Sequence, residues 1–148
     1  MKIRSSTPRA ITARMQVRKR EVMFVRTSSD IVQARQAVRT FAIETGLGLV
    51  DQTKIVTAVS ELARNTVDYG GGGTLTMEIV SDGRRNGLKL IVEDKGPGIA
   101  DVNLALTDGY TTGSGMGLGL SGSRRLVNEF DIWSKPGEGT RVTVTRWK

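Results

Sequence analysis

Residues 113–122 read Gly-Ser-Gly-Met-Gly-Leu-Gly-Leu-Ser-Gly, and this stretch holds five of the eighteen glycines in the chain. Glycine adopts backbone angles that other residues avoid, and it leaves neighbouring amide N–H groups uncovered. The chain from about residue 117 to residue 129 predicts a helix that begins within this stretch. A glycine-rich loop that opens a helix predicts an anion site, because the first helical N–H groups are free and the helix dipole is positive there. Phosphate is the anion that we expect.

Two known nucleotide-binding patterns fit this loop poorly. The Walker pattern requires Gly-Lys-Ser/Thr, which the chain does not contain. Residues 117–122 formally match the dinucleotide pattern Gly-x-Gly-x-x-Gly, but the polar residues 107–114 precede it where that motif requires a strand. A purely structural loop remains open, although it leaves five glycines unexplained.

The composition bounds the chemistry that the chain can perform. With 148 residues, of which 38% are hydrophobic and 25% charged, we expect one globular domain. Cysteine and histidine are absent. Their absence excludes disulfides, thiolate chemistry, Ser-His catalysis and a histidine phosphoacceptor, and it removes the usual zinc ligands. No apolar run is long enough to cross a bilayer, and we expect a cytoplasmic protein without a membrane partner.

The net charge of +7 is concentrated at the N-terminus. Residues 1–20 carry seven Lys or Arg and no acid, whereas residues 21–148 carry fifteen charges of each sign. We therefore interpret residues 1–20 as a basic extension, either disordered or containing a short strand, and residues 21–148 as the folded domain. We predict no nucleic-acid partner, because the basic residues do not spread over the domain.

The hydrophobic pattern predicts the fold class. The predicted elements, in chain order, are a strand at 21–27, a helix to about Thr45, a helix at 52–69, strands at 74–80 and 87–93, a mobile segment at 100–114, a helix at about 117–129, and strands at 130–134 and 140–147. Ser28, Ser29 and Asp30 are the candidate caps of the first helix, and Asp51 is that of the second. Hairpin-linked strands with helices on one face predict an α+β two-layer sandwich with a mostly antiparallel sheet.

Glu61 and Asn65 lie four residues apart on the second predicted helix and therefore point the same way. An amide oxygen is a neutral ligand for Mg²⁺, and a carboxylate can hold a bound water or accept a proton. Taken alone, the pair fits a solvated helix face better than a functional site.

Residues 94–98, Asp-Lys-Gly-Pro-Gly, turn the chain at the end of a strand. A carboxylate there can accept a hydrogen bond from an exocyclic amine such as adenine N6, and Gly96 and Gly98 would let the base lie against the backbone. An ordinary turn fits equally well. Residues 137–140, Gly-Glu-Gly-Thr, predict another tight turn, whose threonine either faces a ligand or caps the turn.

Taken together and in this order, the motifs resemble the GHKL superfamily of ATP-binding domains, which share the Bergerat fold. The matching residues are Glu61 and Asn65 in the N box, Asp94, Gly96 and Gly98 in the G1 box, Gly115, Gly117 and Gly119 in the G2 box, and Gly137, Gly139 and Thr140 in the last motif. The resemblance covers roughly residues 21–148. Within the superfamily, stretches such as 60–65 (Ser-Glu-Leu-Ala-Arg-Asn) and 93–99 (Glu-Asp-Lys-Gly-Pro-Gly-Ile) are most similar to the RsbT-type serine-protein kinases of the stressosome.

The resemblance implies an ATP site. Asp94 would accept the adenine amine, Gly96 and Gly98 would lie beside the base, and Thr140 would make a water-mediated contact. The residues that would enclose the β- and γ-phosphates are Gly113, Gly115, Met116, Gly117, Leu118 and Gly119.

The resemblance also implies the catalytic groups. Asn65 would be the ligand of Mg²⁺, and Glu61 would be the general base that takes the proton of a serine hydroxyl. Residues 100–114 would form a lid that closes over ATP.

Kinases of this type phosphorylate a serine on a STAS-domain antagonist within the stressosome and then activate a PP2C-type phosphatase. An anti-sigma factor kinase, which also sequesters a sigma factor, is the main alternative. A detached histidine-kinase domain with a separate histidine-bearing partner and a non-enzymatic nucleotide sensor also remain open.

Overall fold

The computed structural model describes residues 2–4, 15–107 and 119–148. The strands are β1 (Lys2–Arg4), β2 (Gln16–Val25), β3 (Gly73–Ser81), β4 (Asn86–Asp94), β5 (Glu129–Lys135) and β6 (Gly139–Trp147). The helices are α1 (Ser28–Thr45), α2 (Leu49–Asp68), α3 (Val102–Ala105) and α4 (Gly119–Arg125). The strands form one sheet in the order β1-β5-β6-β4-β3-β2, and every neighbouring pair is antiparallel.

The core lies between the helices and one face of this sheet. Alternate strand residues point to the same face, and the alternating set that includes Leu88, Leu90 and Val92 on β4 is buried with Val142 and Val144 on β6. The buried stripes of α1 and α2 join the same apolar cluster. The prediction of an α+β two-layer sandwich with an antiparallel sheet and helices on one face is therefore confirmed.

The second strand begins earlier than the sequence pattern predicts. It starts at Gln16 rather than at residue 21, so residues 16–20, which we assigned to the basic extension, continue β2. The run of charged residues does not have the pattern of a strand in the sequence. In the structure these charges have distant partners, since Lys19 pairs with Glu44 over 3.0 Å and Arg20 pairs with Glu78 over 3.3 Å. A shift in register between residues 17 and 19 also breaks the alternation. Residues 5–14 lie outside the described part of the chain.

Both long helices begin earlier than predicted. Thr27, and none of the three candidates after it, caps α1, and Asp30 completes a capping box at the third helical position. Gly48 is the N-cap residue of α2, and the start of that helix could not be predicted because a glycine has no side chain to form a cap hydrogen bond. Asp51, the predicted cap, instead lies in the first turn and pairs with Arg146 over 2.7 Å.

The cap assignment gives a direct test by unfolding in urea. The Thr27→Ala variant is expected to lose about 1 kcal/mol of unfolding free energy, because the N–H of Asp30 loses its side-chain acceptor. The control variant Ser29→Ala should stay within about 0.5 kcal/mol of wild type, since Ser29 is exposed. Equal losses in the two variants would contradict the cap assignment.

The structure describes only part of the chain around the glycine loop of residues 113–122. The predicted mobile segment at residues 100–114 contains the short helix α3, and residues 108–118 lie outside the described residues. The helix predicted at about 117–129 is shorter in the structure, where α4 ends at Arg125 and β5 begins at Glu129. Among the described residues, no helix has the length and apolar character needed to span a membrane.

Candidate active site

A cavity of about 480 Å³ opens where the C-terminal end of α2 meets the loop after β4 and the start of β6. Ligand cavities for molecules of nucleotide size have volumes in this range. Five of the predicted site residues line it, namely Asn65, Asp94, Gly98, Gly119 and Thr140. Apolar side chains such as Leu62, Val92 and Ile99 complete the wall. The cavity thus combines an apolar slot with a few polar groups, as a planar base with a phosphate tail requires.

Asn65 lies in the last turn of α2, is half-buried and lines the cavity. Glu61 lies one turn earlier on α2, also half-buried, but it is not among the described residues that line the cavity. The described residues contain no cluster of three acidic side chains that would hold a metal without a ligand. Mg²⁺ keeps several waters and binds through one or two protein oxygens plus substrate phosphates. A single amide oxygen at Asn65 fits that need.

Asp94 ends β4, where its neighbours in register are Gly73 on β3 and Thr140 on β6. Its carboxylate accepts a hydrogen bond from the Gly96 N–H over 2.9 Å. Burial raises the pKa of the Asp94 carboxyl, and the hydrogen bonds from the Gly96 and Thr140 backbone oppose that rise. The side chain is therefore a fixed hydrogen-bond acceptor at the wall of the cavity.

Gly70, which follows the C-terminal end of α2, packs directly against Asp94. A Cβ atom on Gly70 would lie 2.5 Å from the Asp94 Cγ atom, and a Cβ on Gly96 would lie 2.7 Å from the Gly70 Cα and carbonyl oxygen. Gly96 does not line the cavity among the described residues. It instead allows the loop after β4 to lie against the end of α2, which holds the Asp94 carboxylate in place.

The same loop packs against the β5–β6 turn. A Cβ atom on Gly98, whose φ is +75°, would lie 2.3 Å from the Lys135 carbonyl oxygen. A Cβ on Gly139, whose φ is +117°, would lie 2.1 Å from the Asp94 carbonyl oxygen. The N–H of Gly137 donates to the Pro97 carbonyl over 2.8 Å. These glycines permit the loop after β4 and the β5–β6 turn to lie against each other beside the cavity.

The remaining predicted phosphate ligands fall in the undescribed part of the chain. Gly113, Gly115, Met116, Gly117 and Leu118 lie outside the described residues. Gly119 begins α4 with a φ of +67° and lines the cavity. The glycine loop is therefore connected in sequence to the cavity, and its role in holding phosphate stays a prediction.

Arg64 also lines the cavity, although it is not one of the motif residues that predict the site. It is exposed and is the only Lys or Arg among the described residues that line the cavity, where Asp68, Asp94 and Asp101 are the acids. The sequence contains a signal for this residue. Residues 101–123, which include the glycine loop, contain no Lys or Arg that could pair with a polyphosphate, so a positive charge must come from another part of the chain.

Comparison with known proteins assigns the family. Residues 50–148 match the family described as histidine kinase-, DNA gyrase B- and HSP90-like ATPases. The serine/threonine-protein kinase RsbT of Bacillus subtilis is 48% identical over 123 residues, which cover 83% of this chain and 92% of that protein. An anti-sigma F factor of Thermoanaerobacter is 29% identical over 133 residues, with coverage of 86% and 92%.

A solved structure supports the fold alone. The RsbU and RsbW domains of a Mycobacterium tuberculosis protein superpose with a TM-score of 0.63 at 22% identity, over 88% of this chain and 33% of that one. The sequence matches cover α2, the loop after β4 and the β5–β6 turn, which are the elements that build the cavity. The chain therefore belongs to the histidine kinase-, DNA gyrase B- and HSP90-like (GHKL) ATPase family, in the branch that contains the RsbT-type serine/threonine-protein kinases.

Proposed function

We propose that this kinase transfers the γ-phosphate of ATP to a serine on a STAS-domain antagonist of the stressosome and then activates a PP2C-type phosphatase in the cytoplasm. The observation that carries the proposal is the cavity itself, in which Asn65, Asp94 and Thr140 meet in a chain that is 48% identical to an RsbT kinase. The substrate, the phosphatase and the stressosome follow from that similarity and are part of the proposal.

Adenine binding falls to Asp94 in this proposal. Its carboxylate accepts the adenine N6 amine, while Val92, Ile99 and Val142 provide apolar contacts for the ring. Thr140 lies beside Asp94 on the neighbouring strand and holds a bridging water. The apolar wall excludes bulk water from the base, which strengthens the hydrogen bond to the carboxylate.

Phosphoryl transfer needs positioning and charge neutralisation more than covalent chemistry. Asn65 would hold Mg²⁺, which neutralises phosphate charge when bound. Backbone N–H groups of residues 113–119 would enclose the β- and γ-phosphates, and Arg64 would add a positive charge at the rim. Glu61 would accept the proton of the incoming serine hydroxyl, and residues 100–114 would close over ATP.

The Asp94→Asn variant is expected to bind ADP about a hundredfold more weakly than wild type. An asparagine that still accepts from the Gly96 N–H turns its own NH₂ group toward the adenine amine, so two donors face each other. Calorimetric titration with ADP measures the change. The control Asp101→Asn, at another carboxylate that lines the cavity, should stay within about threefold, because asparagine also caps α3.

The Asp94→Asn variant should also be at least as stable as wild type at neutral pH. The pKa of Asp94 is raised above 3.8 on folding, chiefly by burial. Its contribution to stability is therefore present below the unfolded pKa and is lost as the pH rises through the folded pKa. Asparagine removes the cost of the buried charge. A strong fall in the melting temperature at pH 7, or unchanged ADP affinity, would contradict this account of Asp94.

The alternative is an anti-sigma factor kinase, which the 29% identity to an anti-sigma F factor favours. A pull-down with the purified chain, in the presence of ATP, separates the two functions. Retention of a sigma factor would support the alternative, whereas retention of a STAS-domain protein without a sigma factor would support the switch kinase.

A further inference from the structure

Ser134 lies on β5 behind the wall of the cavity, and only 1% of its surface is exposed. Its hydroxyl contacts groups from two other backbone segments. The N–H of Ile99, in the loop after β4, donates to Ser134 Oγ over 2.7 Å. The same oxygen lies 3.1 Å from the Gly139 carbonyl oxygen and 2.8 Å from Thr140 Oγ1. One buried hydroxyl therefore joins the loop after β4 to the first residues of β6.

Two of these partners face the nucleotide cavity, although Ser134 itself does not line it among the described residues. Ile99 and Thr140 both belong to the cavity wall. Ile99 follows Asp94 by five residues in the chain, and Thr140 is the partner of Asp94 in register on β6. Ile99 is the residue directly after Gly98, which packs tightly against the Lys135 carbonyl. Ser134 is therefore one of the contacts that hold the loop carrying Ile99 against the strand carrying Thr140.

The hydroxyl also governs the hydrogen-bonding state of Thr140. A serine hydroxyl has one proton and two acceptor lone pairs, and the Ile99 N–H occupies one lone pair. When Ser134 donates to Gly139, Thr140 can donate to Ser134 and presents only lone pairs to the cavity. When Ser134 donates to Thr140, the Thr140 proton is free for a ligand or a bridging water. The pair can thus match either an amine or a ring nitrogen of adenine.

We propose that Ser134 is a positioning residue for the adenine base, which anchors Ile99 in the cavity wall and directs the Thr140 hydroxyl toward the ligand. This inference rests on the proposed nucleotide site, because Ser134 acts only through residues of that site. The role differs from a packing role in one measurable way. Loss of a positioning residue lowers nucleotide affinity, whereas loss of a packing contact at any buried serine lowers stability.

The test is a comparison of Ser134→Ala with Ser81→Ala. Ser81 is also a buried serine on the sheet, but it lies at the opposite end of β3 from the cavity and accepts the Gly83 N–H. We expect Ser134→Ala to raise the dissociation constant for ADP about tenfold, because the Ile99 N–H and Thr140 lose their partner. The rate of transfer at saturating ATP should stay near wild type. Ser81→Ala should bind ADP as wild type does.

Ser134→Thr supplies the rescue, since it retains a hydroxyl at the same position, and it should bind ADP within about threefold of wild type. Wild-type affinity in Ser134→Ala, together with weak binding in Asp94→Asn, would overturn this inference and leave the nucleotide site standing. Equal losses of affinity in Ser81→Ala and Ser134→Ala would also overturn it. Wild-type affinity in both Ser134→Ala and Asp94→Asn would instead remove the proposed site.

Discussion

The Asn65→Ala variant is expected to transfer phosphate at least about a thousandfold more slowly than wild type while it keeps its fold. Asn65 is the only Asn or Gln among the described residues that line the cavity, so its loss removes the one side-chain amide oxygen there, which we propose as the protein ligand of Mg²⁺. The fold should survive, because alanine has a higher helix propensity than asparagine at this position in α2.

Single-turnover transfer from Mg-ATP measures the rate, and thermal unfolding measures the fold. Gln33→Ala is the matched control, because it removes an exposed amide from α1. It should leave both quantities unchanged. An Asn65→Ala variant that transfers phosphate at the wild-type rate would contradict the assignment of the N-box residues.

The Gly139→Ala variant is expected to lose at least about 3 kcal/mol of unfolding free energy. Gly139 has a φ of +117°, and a Cβ atom there would lie 2.1 Å from the Asp94 carbonyl oxygen. Backbone cannot move aside as a flexible side chain can, so the pairing of β4 with β6 must shift at Asp94. Nucleotide affinity should therefore fall together with stability.

Gly137→Ala separates backbone strain from the steric clash. Gly137 also has a positive φ, +80°, but a Cβ atom there would meet nothing within 4 Å. Its substitution should cost only about 1 kcal/mol, which is the strain of a left-handed residue. Urea unfolding of both variants measures the difference. Similar losses would show that the close approach of Gly139 to Asp94 has no energetic weight.

The parts of the fold that follow local patterns could be predicted from the sequence. The β3–β4 hairpin has regular alternation and a turn around Asp82 and Gly83, and its bounds match the prediction within one residue at each end. The start of β2 could not be predicted, because its charged residues are stabilised by Glu44 and Glu78, which are distant in sequence. Partners of that kind leave no local signal.

The site shows the same division. Asn65, Asp94 and Thr140 belong to short motifs with fixed spacing, and the structure brings all three to one cavity. Gly70 and Ser134 were missed, because their roles depend on backbone segments that meet only after folding. A glycine after a helix and a serine in a strand have ordinary local explanations, so neither residue marks the site in the sequence.

The measurement that tests the central claim most directly is transfer of labelled γ-phosphate from Mg-ATP to the STAS-domain proteins of the same organism, with Asn65→Ala as the control. We predict that one serine on one STAS-domain protein becomes labelled with the wild-type chain and stays unlabelled with the variant. Binding of ATP without label on any STAS-domain protein would contradict the proposed function.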